Sequence, residues 1–340
     1  MILWFRNDLR VHDNPALDHA LSNGVKKAIY LATPKQWQLH HQSPIKIDFI
    51  LRHVQVLGTQ LAKLGIELEV IDVDDFKGQI DYLTKHYLHT NTPVIANFEI
   101  AINEQLRDDE LKDIGCDLTL FCADVIVPHG KVLNLSGEMY KVFTPFKKSW
   151  LAYVRGAGVE YIYRYNIASE QPQCVIKSTD KKLSESLATL KQKLTLKDST
   201  LWPLVDVVEQ SVIPNFLADK VEEYKDNRDI PSVKGTSGLS PYLAIGALSP
   251  RYLLMLMLQR YPDLLVDSNA PSFTWLNELI WREFYRHLVF HFPNLCKGHN
   301  FNAKYNNLPW PNNNQNLIAW QQGKTGYPIV DAAMRQLNST

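Results

Sequence analysis

Apolar runs of four to six residues recur along the first 125 positions, each followed by a longer stretch with helical periodicity. Ile2–Phe5, Ala28–Ala32, Leu68–Val73, Pro93–Asn97 and Leu118–Cys122 read as strands. Between them, Asp48–Leu64 places Phe49, Ile50, Val54, Leu57, Leu61 and Leu64 on one helical stripe and ends at Gly65. Ile80–Tyr87 and Glu104–Ile114 are shorter helix candidates. Such alternation predicts a parallel, doubly wound sheet with helices on both faces. The first strand is not followed by GxGxxG, so a nicotinamide dinucleotide site has no support.

Near Ala123 the alternation stops. The chain passes through Val127-Pro-His-Gly and Asn134–Met139 to an aromatic and basic stretch, Tyr140–Trp150. Ser169–Ser199 reads as a polar connector, and from Val205 onward no strand is convincing. Ser249–Gln259, Phe273–Phe290 and Ile329–Leu337 favour helix. The expected fold class is therefore α/β: a Rossmann-like domain over 1–125, a connector over 126–204 and a mainly helical domain over 205–340.

A chain of 340 residues is long enough for two cores. Its 36 basic and 36 acidic residues cancel, which argues against nucleic-acid binding by bulk charge alone. From Trp275 onward six basic residues stand against three acidic ones, so this end carries +3 and the remainder −3. Cys116, Cys122, Cys174 and Cys296 show no metal-site spacing and no disulfide framework, so the reading is no metal and a reducing, cytoplasmic setting. The N-terminus is apolar for only five residues and reads as a strand rather than a signal peptide, and no run reaches membrane-spanning length. A monomer is expected.

Two segments carry unusual chemistry. Trp275-Leu-Asn-Glu278-Leu-Ile-Trp281-Arg282-Glu283-Phe-Tyr285-Arg286-His287 packs rings, carboxylates and guanidinium groups into barely three helical turns, a costly mixture for a helix that only fills a core. At helical spacing Trp275, Glu278, Trp281, Arg282 and Tyr285 project from one face. Gly235-Thr236-Ser237-Gly238-Leu239-Ser240 supplies small residues, hydroxyls and consecutive amides that can cradle a phosphate, or serve simply as a loop with a helix cap.

Together with Trp4-Phe-Arg-Asn-Asp-Leu-Arg10, Asp13-Asn14, Gly235–Arg251 and Gly323–Arg335, these segments resemble, over the whole chain, the DNA photolyase and cryptochrome family. Within it the chain is most similar to bacterial-type cyclobutane pyrimidine dimer photolyases with a folate antenna. The resemblance implies a lyase that repairs such dimers in DNA by light-driven electron transfer from reduced FAD. It makes the first domain the antenna domain, with 5,10-methenyltetrahydrofolate as its chromophore, and the last the FAD and lesion domain. By position, Tyr224, Thr236, Ser237, Leu239, Ser240, Trp275, Glu278 and Arg282 inherit FAD contact; Trp275 reads equally as a core aromatic. Glu278 and Trp281 inherit the catalytic roles at the lesion, through hydrogen bonding and stacking. Arg228, Trp281 and Arg282 inherit DNA contact. His40, Asn103, Glu104, Cys296 and Lys297 match the folate contacts, although Glu104 alone reads as an acid at a helix start and His40 as a loop histidine. Trp310 resembles the outermost tryptophan of the flavin-reducing chain, or a surface ring.

In complete family members the pattern continues past the position of Thr340 into Gly-Trp-Met-His-Asn-Arg and further helices that enclose the flavin ring. The expectation for the sequence as it stands is weak FAD binding or none, poor repair and an exposed apolar patch. Two other readings compete: a cryptochrome-like light sensor, against which the repair-type Glu278 and Trp281 argue, and a module that holds only the antenna chromophore.

Overall fold

Ile2–Phe5 (β1) lies at the centre of a five-stranded sheet and is buried along its whole length. Its neighbours Lys27–Ala32 (β2) and Val94–Asn97 (β4) pair with it in parallel, Leu3 lying opposite both Ala28 and Ile95. Glu67–Asp72 (β3) and Leu118–Phe121 (β5) complete the order β3-β2-β1-β4-β5, parallel throughout. Successive side chains of β1 point to opposite faces. Leu3 and Phe5 enter one hydrophobic cluster, Ile2 and Trp4 a second. The doubly wound α/β architecture expected from the alternation is the one observed, and each of the five strands stands within a residue of its expected place.

The helices of this part are Pro15–Ser22 (α1), Pro34–Leu39 (α2), Pro44–Lys63 (α3), Phe76–Leu83 (α4) and Ile102–Asp113 (α5). Their starts follow from local chemistry: Asn14, Ser43 and Asp75 accept from amides of the first turn of α1, α3 and α4, and proline opens α1 and α3 where no amide donor is needed. Ile80 and Leu83 of α4 and Leu111 of α5 cover the Ile2–Trp4 face, while Ile50, Val54, Leu57 and Leu61 of α3 cover the other.

The structure, a computed structural model, describes residues 1–157 and 179–339, which divide into a unit Met1–Cys296 and a unit Lys297–Thr340. Cys174 and the first part of the polar stretch 169–199 lie outside the described residues. The rest of that stretch is not a bare connector. Thr179–Gln192 (α7, after Phe143–Ala157 as α6) buries Leu183, Leu187 and Leu190 and packs on α3 and β3. Gly58 permits that approach, since a Cβ there would stand 2.1 Å from Leu183 Cδ2.

Helices follow: Val205–Val207, Val208–Val212 and Ile213–Asp219 in succession (α8), Tyr224–Asn227 (α9), Ser240–Ala244 (α10), Pro250–Arg260 (α11) and Phe273–His291 (α12). No strand occurs after Val205 among the described residues. Val127, Phe146 and Trp150 share one core with Leu279, Ile280 and Phe284 of α12, so the sheet and the helices of this unit are bound by common apolar burial.

Arg10 adds a polar clamp within it, donating to the carbonyls of Gly246 (2.9 Å), Ala123 (2.8 Å) and Asp13 (2.8 Å). Asp13 in turn binds the Arg251 side chain of α11. The unit Lys297–Thr340 contains Asn314–Gln321 (α13) and Pro328–Ser339 (α14). There the Asp331 carboxylate accepts from Thr325 N (2.7 Å), Thr325 Oγ1 (2.6 Å) and Gly326 N (3.0 Å), which fixes the turn into α14.

Candidate functional site

Helix α12 sorts its mixed residues by depth. Trp275, Leu276, Leu279, Ile280, Glu283, Phe284 and His287 are buried, and Glu278, Trp281 and Arg282 are half-buried. Trp275 packs against Phe216 of α8, ring centroids 5.3 Å apart. Glu278 forms an ion pair with Arg228, which follows α9 and also lies over the Tyr224 ring. Its carboxylate holds the Arg228 guanidinium above its ordinary pKa. Trp281 stacks face to face on Phe143 of α6, at 3.5 Å and 7°, with the Tyr285 ring centroid 5.7 Å away. Glu278, Trp281 and Tyr285 thus mark the accessible edge of the helix.

Arg282 points elsewhere. It donates to the carbonyls of Asp124 (2.7 Å) and Leu243 (3.5 Å), and burial followed by the nearby Arg286 charge lowers its pKa to about 10.

The inner side of α12 is fixed by a group the sequence left unassigned. Glu283 is fully buried and accepts from Ile126 N (2.7 Å), Val127 N (3.1 Å) and Trp150 Nε1 (3.3 Å). Burial raises its carboxyl to about 7 against those donors. His287 contacts the Val127 carbonyl at 3.0 Å and is held down to about 4 by burial. Arg286 pairs with Asp124. Burial pushes the Asp124 carboxyl up, but Arg286, His129 and Arg282 outweigh it and the net shift is downward. Acidic and basic residues one turn apart on a helix were visible in the sequence; that their partners are backbone groups near position 126 was not.

The Gly235–Ser240 loop precedes α10. Gly235 sits so close to Asn227 that a Cβ would stand 2.7 Å from the Asn227 Cβ, and Gly238 has φ +67°. Among the described residues, none of the amides of Thr236, Ser237, Gly238 and Leu239 donates a hydrogen bond. A run of free donors between two conformationally required glycines fits an oxyanion group such as a diphosphate.

A second concavity of ≈120 Å³ lies over the carboxyl ends of β1 and β2, beside the switch point where the sheet order turns from β2 to β4. His40, which caps α2, and Glu104 of α5 both line it, with Trp37, Phe76, Gln79 and Arg107. His40 is paired with Gln36 at 2.7 Å. Glu104 Oε2 is buried with no hydrogen-bond partner among the described residues, and burial, then the Glu99 charge, raises its pKa.

Beneath lies a buried lattice: Arg6 donates twice to Asp108 (2.8 Å each), Arg107 to Asp108 (2.8 Å), Glu99 (3.0 Å) and Gln79 (3.0 Å). Both guanidiniums flank the Trp4 ring, at 4.8 and 4.6 Å. Arg6 and Arg107 were missed as site residues; for Arg6 the available signal was a charged side chain directly after a buried strand, and for Arg107, inside α5, there was none. Asn103 lines an adjoining groove, Cys296 is exposed and does not line the cavity, and Lys297 and the largely exposed Trp310 belong to the other unit.

The sequence pattern of DNA photolyase matches residues 1–161, and that of the FAD binding domain of DNA photolyase matches residues 275–340. The Escherichia coli deoxyribodipyrimidine photo-lyase is 40% identical over 100% of this chain and 71% of that protein. This chain belongs to the DNA photolyase family. The Vibrio cholerae photo-lyase is 37% identical, with 72% of it covered. Among solved structures, a class III photolyase from Agrobacterium tumefaciens superposes with TM-score 0.75 at 27% identity, over 99% of this chain and 68% of that one. A Synechocystis cryptochrome shares the fold, with TM-score 0.73 at 23% identity.

FAD is the cofactor that goes with the matched helical domain, whose pattern begins at Trp275 of α12. The residues present fit it on the phosphate side, through the free amides of Thr236–Leu239. The named relatives are photo-lyases. No described helix of the chain is long and apolar enough to cross a membrane.

Proposed function

We propose that this chain is a deoxyribodipyrimidine photo-lyase that splits cyclobutane pyrimidine dimers in DNA, taking light through a folate-type antenna. The carrying observation is the similarity to named photo-lyases at 37–40% identity along the entire chain. When bound in its reduced form, FAD would supply the one-electron redox chemistry. The chain's own residues hold and orient. The loop Thr236–Ser240 receives the diphosphate, Tyr224 and Trp275 frame the flavin side, and Glu278 is positioned by Arg228 at the accessible edge of α12. Trp281, kept flat by Phe143, offers the extruded pyrimidines an aromatic surface that offsets part of their unstacking cost. Arg228 adds a cation near the DNA backbone. Arg282, turned to Asp124 and Leu243, acts mainly by holding α12 in place.

For the antenna, Glu104 with an unpartnered buried oxygen suits the adjacent N–H donors of a pterin edge, and His40 closes the same cavity. The test uses the purified chain loaded with FAD, reduced, and mixed with an oligonucleotide carrying one thymine dimer. Expected is dimer loss in light and none in the dark, reduced in Glu278→Gln and Trp281→Ala. Absence of flavin uptake, or equal dimer loss in light and dark, overturns the proposal.

A further inference from the structure

We infer that Cys122, Asp124 and His129 form a binding site for a borderline-soft divalent cation, of which zinc is the type. The three lie on one short loop between β5 and residue 130, outside both the flavin loop and the antenna cavity, and the inference does not depend on the photolyase reading. One ligand atom from each falls within 4.8 Å of the others. Cys122 Sγ is 3.8 Å from His129 Nδ1, and His129 Nε2 is 3.8 Å from Asp124 Oδ1. Those two contacts leave from opposite ring nitrogens, of which one ion takes one; from the 4.8 Å limit of the set, side-chain shifts of about 1 Å reach the roughly 3.5 Å between ligand atoms around tetrahedral zinc.

Independent of spacing, the polar atoms here are left over. Asp124 Oδ1 and His129 Nε2 are both buried with no hydrogen-bond partner among the described residues, and so is Nε2 of the neighbouring His291. Two such orphans facing each other would each forfeit a hydrogen bond, and a cation satisfies both at once. The ring of His129 is held in place by stacking on Phe290, at 4.9 Å and 13°.

The titratable and charged groups facing the site are Asp124, Arg286, Arg282, Arg251, Glu283, His287 and His291. Arg286 is occupied by Asp124 Oδ2, which leaves Oδ1 available. The Cys122 thiol, raised to about 12 by burial and Asp124, is protonated without metal. Capture of the cation forms the metal–sulfur bond and releases the thiol proton to solvent. A groove of ≈320 Å³ lined by Cys122, His129 and Phe290 provides entry and a place for water as the remaining ligand. Occupancy would brace the same loop whose backbone holds Glu283 and Arg282.

The experiment titrates the metal-free full chain with Zn²⁺ against a chromophoric chelator, and with Co²⁺ read by absorption. Expected are one cation per chain, a thiolate-to-cobalt band in the near ultraviolet, and weakening of at least about tenfold in Cys122→Ser and in His129→Gln, with exposed Cys296→Ser unchanged. A readout on unaltered protein guards against misfolded variants: bound Zn²⁺ slows alkylation of Cys122, located by mass spectrometry, and leaves Cys296 reactive. Undetectable binding at micromolar Zn²⁺, affinity that survives both variants, or equal alkylation with and without Zn²⁺ overturns the inference.

Discussion

Glu283→Gln should make the protein's stability less sensitive to pH, and in a direction opposite to the usual carboxylate. The wild-type carboxyl is fully buried, and burial raises it from an ordinary 4.5 to about 7. Below pH 4.5 it is neutral in both folded and unfolded chains. Between 4.5 and about 7 the unfolded chain has lost the proton while the folded one keeps it, so each unit of rising pH favours unfolding by about 1.4 kcal/mol. Above 7 both states are ionised and the accumulated loss levels off at about 3 kcal/mol.

Glutamine resembles the neutral acid, with one acceptor oxygen and one hydrogen-bearing group facing Ile126 N, Val127 N and Trp150 Nε1. At pH 5 the variant should lie within about 1 kcal/mol of wild type. By pH 8 the difference, variant minus wild type, should have moved in the variant's favour by about 3 kcal/mol. Urea unfolding followed by tryptophan fluorescence at the two pH values measures it, and because only the difference is used, other buried groups cancel. A difference constant to about 0.5 kcal/mol would refute the raised carboxyl; a shift the other way would mean that the three N–H donors and Arg282 outweigh burial.

Gly246→Ala should cost about 3 kcal/mol or more, since φ is +67° and the new Cβ would meet Asn7 O at 2.1 Å; thermal melts of the variant check this. Leu183→Ala should cost about 3 kcal/mol in urea unfolding if α7 is part of the core, and almost nothing if it is a solvated connector. Glu104→Gln should weaken 5,10-methenyltetrahydrofolate about tenfold in an absorbance titration, as the pterin edge would face an amide in place of a second acceptor.

The strands, the long helices and the α/β class were legible because they rest on local periodicity. Ile2–Phe5 is apolar throughout because a central parallel strand is covered on both faces, and that demand is written residue by residue. The backbone demands of the Gly235–Ser240 loop were legible for the same reason: Gly235 answers to a close approach by Asn227 and Gly238 to a positive φ. Thr179–Gln192 was harder to see, because its polar composition hides three leucines whose spacing matters only once α3 and β3 lie beneath them.

The sequence by itself determined which residues of α12 were chemically expensive. Only the tertiary structure decided what each one touches. Glu278 meets Arg228 fifty positions upstream, Trp281 meets Phe143 on α6, and Glu283 meets amides 156 and 157 positions away. The same holds for Arg282, a lesion contact by resemblance that the fold turns onto the Asp124 carbonyl. Helical spacing fixes the direction of a side chain from its own axis, but a partner is chosen by chain closure over long loops. Burial then sets the price of leaving a charge unmet, and neither quantity is encoded in any short stretch of sequence.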